Sequence, residues 1–170
     1  MMAGNNRRSI FRRRKAGLTD YARRLKLLRG EMPRAVVRVS NTRTICQLVS
    51  WAADGDLVTI NVTGSDLVKK YGYPESRSLK SVPASYLVGY AMGKAALASG
   101  ATEAVLDIGL AANSRGGRVY AALKGMCDAG LDIPHSEDVY PDEDRLNGAH
   151  IDEKLAKEIE STKNKIEGAY

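Results

Sequence analysis

Apolar and polar positions follow two periods along this chain, and each stretch is closed by a glycine or proline. Tyr21, Leu25 and Leu28 are spaced four and three apart between Thr19, a good helix N-cap, and Gly30, a good helix stop. The spacing predicts a helix that docks this face on a core and leaves Arg23, Arg24, Lys26 and Arg29 in solvent. Beyond Pro33 the pattern changes to strands. Residues 34–40 and 43–51 read as two strands joined at Asn41-Thr42, and residues 57–63 as a third after the turn Asp54-Gly55-Asp56, which together make a meander. A short amphipathic helix from Ser65 or Asp66 to Lys70 leads into a polar loop through Gly72, Pro74 and Ser81. Pro83 opens a helix over 84–99 that Gly100 closes, and Gly89 and Gly93 within it suit close backbone packing. A buried-looking strand over 104–109, a loop over 112–117 and a helix from Arg118 to Ala129 follow, and residues 151–166 are again helix-prone.

Charge divides this pattern unevenly. The first 43 residues hold thirteen Lys and Arg against two carboxylates, a net of +11, whereas the remaining 127 are net −5. The run from Arg7 to Gly17 has too few apolar residues to bury and too much charge to collapse, so residues 1–18 are expected to be a disordered arm that orders on a polyanion. Residues 19–135 form the expected α/β domain. Residues 136–170 form an acidic C-terminal segment with a helix, and from Asp132 to Glu160 ten carboxylates face three bases.

Composition narrows the chemistry. Cys46 and Cys127 stand far apart without Cys or His at ligand spacing, only His135 and His150 could join them, and they read as small hydrophobes in a reducing compartment. The N-terminus lacks the apolar core of a secretion signal, and the longest apolar stretch, 82–98, is too short and mixed to span a bilayer. The element order is a mixed-sheet α/β domain with ribonuclease-H-like topology: a β-meander followed by helix, strand and helix, with a basic N-terminal arm and a C-terminal helix. A two-metal nuclease on such a frame needs several strand carboxylates. Asp107 stands alone near a strand end, while Asp54 and Asp56 flank a turn, so the lone acid is expected to cap a loop or answer an arginine. The glycines at 116 and 117 lack the Gly-Lys-Ser/Thr ending of a nucleotide loop. No enzyme activity, cofactor or metal is expected.

RNA suits the polar groups better. Ser114, Arg115, Gly117 and Arg118 gather a hydroxyl, backbone N–H groups and two guanidiniums at a helix start, where the dipole also favours phosphate. Arg38, Ser40, Asn41, Thr42 and Arg43 crowd the hairpin turn as a second such site. Arginine reads phosphate with two parallel hydrogen bonds and stacks on exposed bases, which fits structured RNA.

Several runs then carry a resemblance over most of the chain: Arg-Arg-Arg-Lys-Ala-Gly-Leu-Thr-Asp-Tyr (12–21), Arg-Val-Ser-Asn (38–41) with Gln47, Ala-Val-Leu-Asp-Ile-Gly (104–109) and Gly-Arg-Val-Tyr-Ala-Ala-Leu-Lys-Gly (117–125). The sequence resembles ribosomal protein eighteen of the large subunit, the 5S rRNA binder. Asp-Ala-Gly-Leu-Asp-Ile-Pro-His (128–135) and Gly-Ala-His-Ile (148–151) are similar to its archaeal branch. The resemblance implies a cytoplasmic ribosomal protein of the central protuberance that touches 5S rRNA, 23S rRNA through the arm, and neighbouring ribosomal proteins. It implies neither membrane association nor a homo-oligomer. Carried over by position, the RNA-facing residues are Arg7, Arg8, Arg12, Arg13, Arg14 and Lys15 of the arm; Tyr21, Arg23 and Arg24 of the first helix; Arg38, Ser40, Asn41, Thr42, Arg43 and Gln47 of the hairpin; and Ser114, Arg115, Gly117 and Arg118. Thr42 departs from the basic residue that relatives often carry after the Ser-Asn pair. The alternative to a permanent ribosomal component is a free RNA-binding assembly factor with the same body.

Overall fold

Alternating side chains on three antiparallel strands give this protein two unlike sheet faces, and helices cover one of them. The computed structural model describes residues 9–170. Strands β1 (Arg34–Val39), β2 (Thr44–Ala52) and β3 (Gly55–Thr63) form the expected meander, and β4 (Val105–Asp107) joins β1 in parallel, giving the order β3-β2-β1-β4. Antiparallel register pairs Val37 with Cys46 and Gln47 with Asn61, and slips by one residue between Leu48 and Val49. There Thr59 Oγ1 donates to the Leu48 carbonyl at 3.1 Å, across the bulge.

Ala35, Val37, Cys46, Leu48 and Val62 point to one face and enter the main core. Helix α4 (Val82–Ala98) packs there, and α5 (Arg118–Asp128) packs on α4 and β1. Helix α4 is apolar on nearly every side because the sheet, α5 and the C-terminal helix α7 (Glu153–Glu167) surround it. Ser81 caps its start by accepting the Ala84 N–H, and Pro83 sits in its first turn. The α4–α5 contact runs backbone to backbone. A Cβ at Gly89 would lie 2.0 Å from the Ala122 carbonyl oxygen, and one at Gly125 2.2 Å from that of Tyr86. The close packing expected of Gly89 and Gly93 is therefore present, with Gly125 as its counterpart. Helix α3 (Gly64–Tyr71) follows β3 directly, its start closed by the Asp66 carboxylate, which accepts the Thr63 N–H at 2.8 Å.

The acidic C-terminal segment belongs to this same body. After a 3-10 turn (Glu137–Val139) and the short α6 (Glu143–Leu146), the side chains of Leu146, Leu155, Ile159 and Ile166 are buried in the main core. Arg77 in the polar loop fastens α7, its Nη2 lying 2.8 Å from Asp152 and its Nε 3.0 Å from Glu158.

In the arm, Arg12–Lys15 form one exposed helical turn, α1. Two readings of the helix that follows are corrected. Helix α2 (Tyr21–Leu28) is capped by Asp20, which accepts the Arg23 N–H at 3.0 Å, rather than by Thr19. More important, α2 is turned over. Tyr21 and Leu25, expected to dock, are 42% and 53% exposed, while Arg23 and Arg24 reach toward the sheet. The cause lies in the surface beneath, which presents the carboxylates of Asp56 and Asp107 and so draws the cationic side of a short helix.

Candidate nucleic-acid interface

The face of the sheet not covered by α4 and α5 carries a chain of ion pairs that sets the geometry of the basic end. Arg34, 3% exposed, begins β1; its Nη1 donates to Asp107 Oδ2 at 3.0 Å, and its Nη2 makes an ionic contact with Asp56 Oδ2 at 2.7 Å. Arg24 Nη2 approaches both oxygens of Asp56, at 2.8 and 2.9 Å. Asp56 is therefore a strand residue with two guanidinium partners, not merely the flank of a turn. The Arg24 hydrogen bond outweighs the burial that opposes it and, with Arg34, holds the Asp56 carboxyl below its usual range. Burial pushes Asp107 upward, but Arg38, the Gly109 N–H and Arg34 together more than offset it, and its carboxyl also lies below the usual range.

Asp107 behaves as a strand-end acid that caps a loop and answers arginines. Its Oδ1 accepts the Gly109 N–H at 2.8 Å and Arg38 Nη2 at 3.1 Å, while Arg38 Nη1 donates to the Asp107 carbonyl at 2.7 Å. Gly109 turns with φ +60°, and a Cβ there would lie 2.7 Å from Arg38 Cζ, so the chain needs glycine both for its backbone and for the room Arg38 occupies. Arg23 Nη1 donates to the Gly109 carbonyl at 2.6 Å and ties α2 to the same corner. Sequence reasoning missed Arg34 and Asp56. Their alternation was visible, but which carboxylate faces which arginine is decided by the β1–β4 and β2–β3 registers.

The hairpin turn joins β1 and β2 at the end of the sheet where β4 also finishes. Ser40 Oγ accepts the N–H groups of Thr42 and Arg43 at 3.2 and 3.0 Å, lies 3.2 Å from Thr42 Oγ1, and donates to the Arg43 carbonyl at 2.8 Å. Ser40 thus shapes the turn, and Asn41, Thr42 and Arg43 are exposed on it. Arg43 rests its Nη1 on Ser65 Oγ at 2.8 Å, and Gln47 donates to Asn61 Oδ1 at 3.2 Å.

The loop after β4 ends at the N-terminus of α5. Gly116 adopts φ +68° and donates to the Val139 carbonyl, and Gly117 takes the N-cap position and donates to the Ser114 carbonyl. This turn leaves Ser114, Arg115 and Arg118 exposed around the first turn of an eleven-residue helix, and neither arginine forms an ion pair with another described residue. In the arm, Arg12, Arg13, Arg14 and Lys15 are exposed, Arg13 Nε donating to Thr19 Oγ1 at 2.9 Å; Arg7 and Arg8 lie outside the described residues. The residues expected to meet RNA therefore fall into two groups. The arm, the hairpin tip and the α5 start present their polar groups outward, whereas Arg23, Arg24 and Arg38 are engaged by the protein itself.

The described residues contain no group of three or more Cys, His, Asp or Glu able to hold a metal, and no helix long and apolar enough to cross a membrane. Cys46 is fully buried; Cys127 is half-buried, its Sγ 3.8 Å from His135 Nδ1.

The family described as ribosomal large subunit proteins 60S L5 and 50S L18 matches residues 6–103 and 98–136. The chain belongs to this family of large-subunit ribosomal proteins. Archaeal relatives named large ribosomal subunit protein uL18 are similar along nearly the whole length. That of Korarchaeum cryptofilum is 46% identical over 92% of this chain and 81% of its own, and that of Methanothrix thermoacetophila is 42% identical over 99% and 100%. The uL18 protein of Methanoculleus marisnigri is 48% identical over 84% of this chain and 80% of its own. The uL18 family comprises structural components of the large ribosomal subunit, not enzymes, so Asp107 and Asp56 are structural acids.

Proposed function

We propose that this protein binds 5S rRNA in the large ribosomal subunit and helps attach it to 23S rRNA in the central protuberance, among neighbouring ribosomal proteins. The folded contact surface consists of the hairpin tip, Asn41, Thr42 and Arg43, together with Ser114, Arg115, Gly117 and Arg118 at the start of α5, while the arm cations reach the 23S rRNA. The observation that carries this reading is the outward display of Arg115 and Arg118 at the N-terminus of α5. Backbone N–H groups and the helix dipole favour phosphate there, and the guanidiniums add charge-assisted hydrogen bonds.

Binding of the full chain to 5S rRNA, with transfer RNA as competitor, tests the proposal across a salt series from about 0.1 to 0.5 M. Continued preference for 5S rRNA at high salt is expected, because the folded surface reads a shape as well as a charge. Equal affinity for both RNAs, lost together as salt rises, would reduce the protein to a non-specific polycation and point to a free assembly factor.

A further inference from the structure

An open groove of about 570 Å³ lies between α2 and the sheet face that α4 and α5 leave uncovered, a size within the range of about 300–1,000 Å³ typical of small-molecule sites. Its walls are of two kinds. Val36, Val49 and Val58, one from each meander strand, line it as apolar surface, with Leu27 contributed by α2. Around them five guanidiniums, Arg13, Arg23, Arg24, Arg34 and Arg38, face the three carboxylates of Asp20, Asp56 and Asp107. The carboxylates engage Arg24, Arg34 and Arg38 closely, whereas the half-exposed Arg23 spends Nη1 on the Gly109 carbonyl and stands 3.9 Å from Asp20, and among the described residues Arg13 meets only the Thr19 hydroxyl. Arg34, almost wholly buried, keeps Nε and Nη2 without a directed hydrogen-bond acceptor despite its ionic contact with Asp56. A buried donor left in this way favours an added acceptor.

We propose that this groove takes one unpaired nucleotide of the bound RNA, its phosphate on Arg13 and Arg23 at the mouth and its base on the valine surface beneath α2. The inference rests on the RNA-binding reading and adds a site that neither the hairpin tip nor the α5 start provides. An anionic phosphate satisfies the surplus of guanidiniums, and a flat base covers the exposed side chain of Val58, which a phosphate alone would leave wet above the buried Val36 and Val49. Proteins that read structured RNA commonly splay bases out and stack them on aromatic rings or on guanidinium planes, and the groove supplies the latter beside its valines. An acidic peptide would meet the arginines but brings no ring to the apolar surface.

Titration of the full chain with adenosine 5′-monophosphate, ribose 5-phosphate, inorganic phosphate and hexaglutamate at constant ionic strength, followed by amide shifts of Val36, Val49 and Val58, tests the assignment. The nucleotide is expected to bind at least ten-fold more tightly than the other three. Val58→Phe, which fills the groove from an edge strand, and Val58→Glu, which places a carboxylate in it, are each expected to weaken nucleotide binding at least five-fold, while Lys69→Ala, at an exposed position of α3 outside the groove, leaves it unchanged. Should Val58→Glu fail to fold by circular dichroism, Val58→Phe decides the point. Nucleotide binding no tighter than that of phosphate or hexaglutamate, or unaffected by a folded Val58 variant, overturns the proposal. The same variants are titrated with 5S rRNA: loss of the nucleotide site with an intact 5S preference removes the groove alone, whereas loss of that preference in the unmodified chain removes the reading on which it rests.

Discussion

Arg34 Nη1 donates to Asp107 Oδ2 at 3.0 Å between neighbouring parallel strands, with both side chains nearly sealed from water. A buried ion pair contributes little over a well-packed apolar pair, but removing one partner strands the other charge. Asp107→Ala leaves Arg34 with Asp56 alone and also releases Arg38 and the Gly109 N–H. The variant is expected to lose about 3–5 kcal/mol of stability, measured as a lower urea midpoint at unchanged slope.

The same cluster sets an acid limit. Asp56 and Asp107 both have native pKa values held below the ordinary carboxylate range, the first chiefly by the Arg24 hydrogen bond and the second, against the upward push of burial, by Arg38, Gly109 and Arg34. Their stabilisation is full above the unfolded carboxylate pKa of about 3.9 and disappears as pH falls through the depressed native values. The melting temperature should therefore drop steadily below about pH 4, and Asp56→Asn should flatten that drop. A profile as steep in the variant as in the parent would mean that other acids govern it.

Gly109 gives the corner a second weak point. Alanine there must hold φ near +60° and place its Cβ where the Arg38 guanidinium lies. The left-handed backbone alone costs about 1–2 kcal/mol, and displacing Arg38 also breaks its contacts with Asp107. Gly109→Ala should lower the urea midpoint, whereas Gly100→Ala, where open space surrounds the site, should show only the backbone cost.

Arg38 and Arg118 read alike in the sequence but differ in the fold. Arg38 holds the Asp107 carbonyl and carboxylate, so Arg38→Ala should destabilise the domain by about 1–3 kcal/mol as charge-assisted hydrogen bonds are lost. Arg118 is exposed without an ion partner among the described residues, so Arg118→Ala should keep the melting temperature and weaken 5S rRNA binding. Parallel urea melts and RNA titrations separate the two. Equal stability losses would erase the distinction, and unchanged RNA affinity in Arg118→Ala would remove the α5 start from the contact surface.

That contrast also marks how far the sequence could be read. Strand alternation, Pro33, Pro83 and the closing glycines placed the meander, α4 and α5 within a few residues, because these signals act locally. The hairpin tip and the α5 start were legible for the same reason: their polar groups belong to contiguous turns. The direction of α2 was not legible, because its Tyr21–Leu25–Leu28 stripe is a sound docking face until the surface beneath proves to carry Asp56 and Asp107. Nor was the docking of the C-terminal segment: its helix was legible, but charge obscured the spacing of Leu155, Ile159 and Ile166 on one buried side of α7.

The arm offers the clearest separation of binding from stability. Among its described residues, Ile10, Phe11 and Leu18 are 63%, 85% and 65% exposed, and α1 buries nothing. Among the described residues its side-chain hydrogen bond to the body is that of Arg13 with Thr19, an exposed contact worth little in water. Deleting residues 1–17 is therefore expected to leave the unfolding free energy from urea melts within about 0.5 kcal/mol of the parent. Six cations go with the deletion, from Arg7 to Lys15. Each that meets a phosphate contributes about 0.7–0.9 to the slope of log affinity against log salt, so the slope for rRNA should become shallower by that step per lost contact. A truncated chain that unfolds would show the arm to be part of the domain, and one that folds with an unchanged salt slope would show that its cations do not touch RNA.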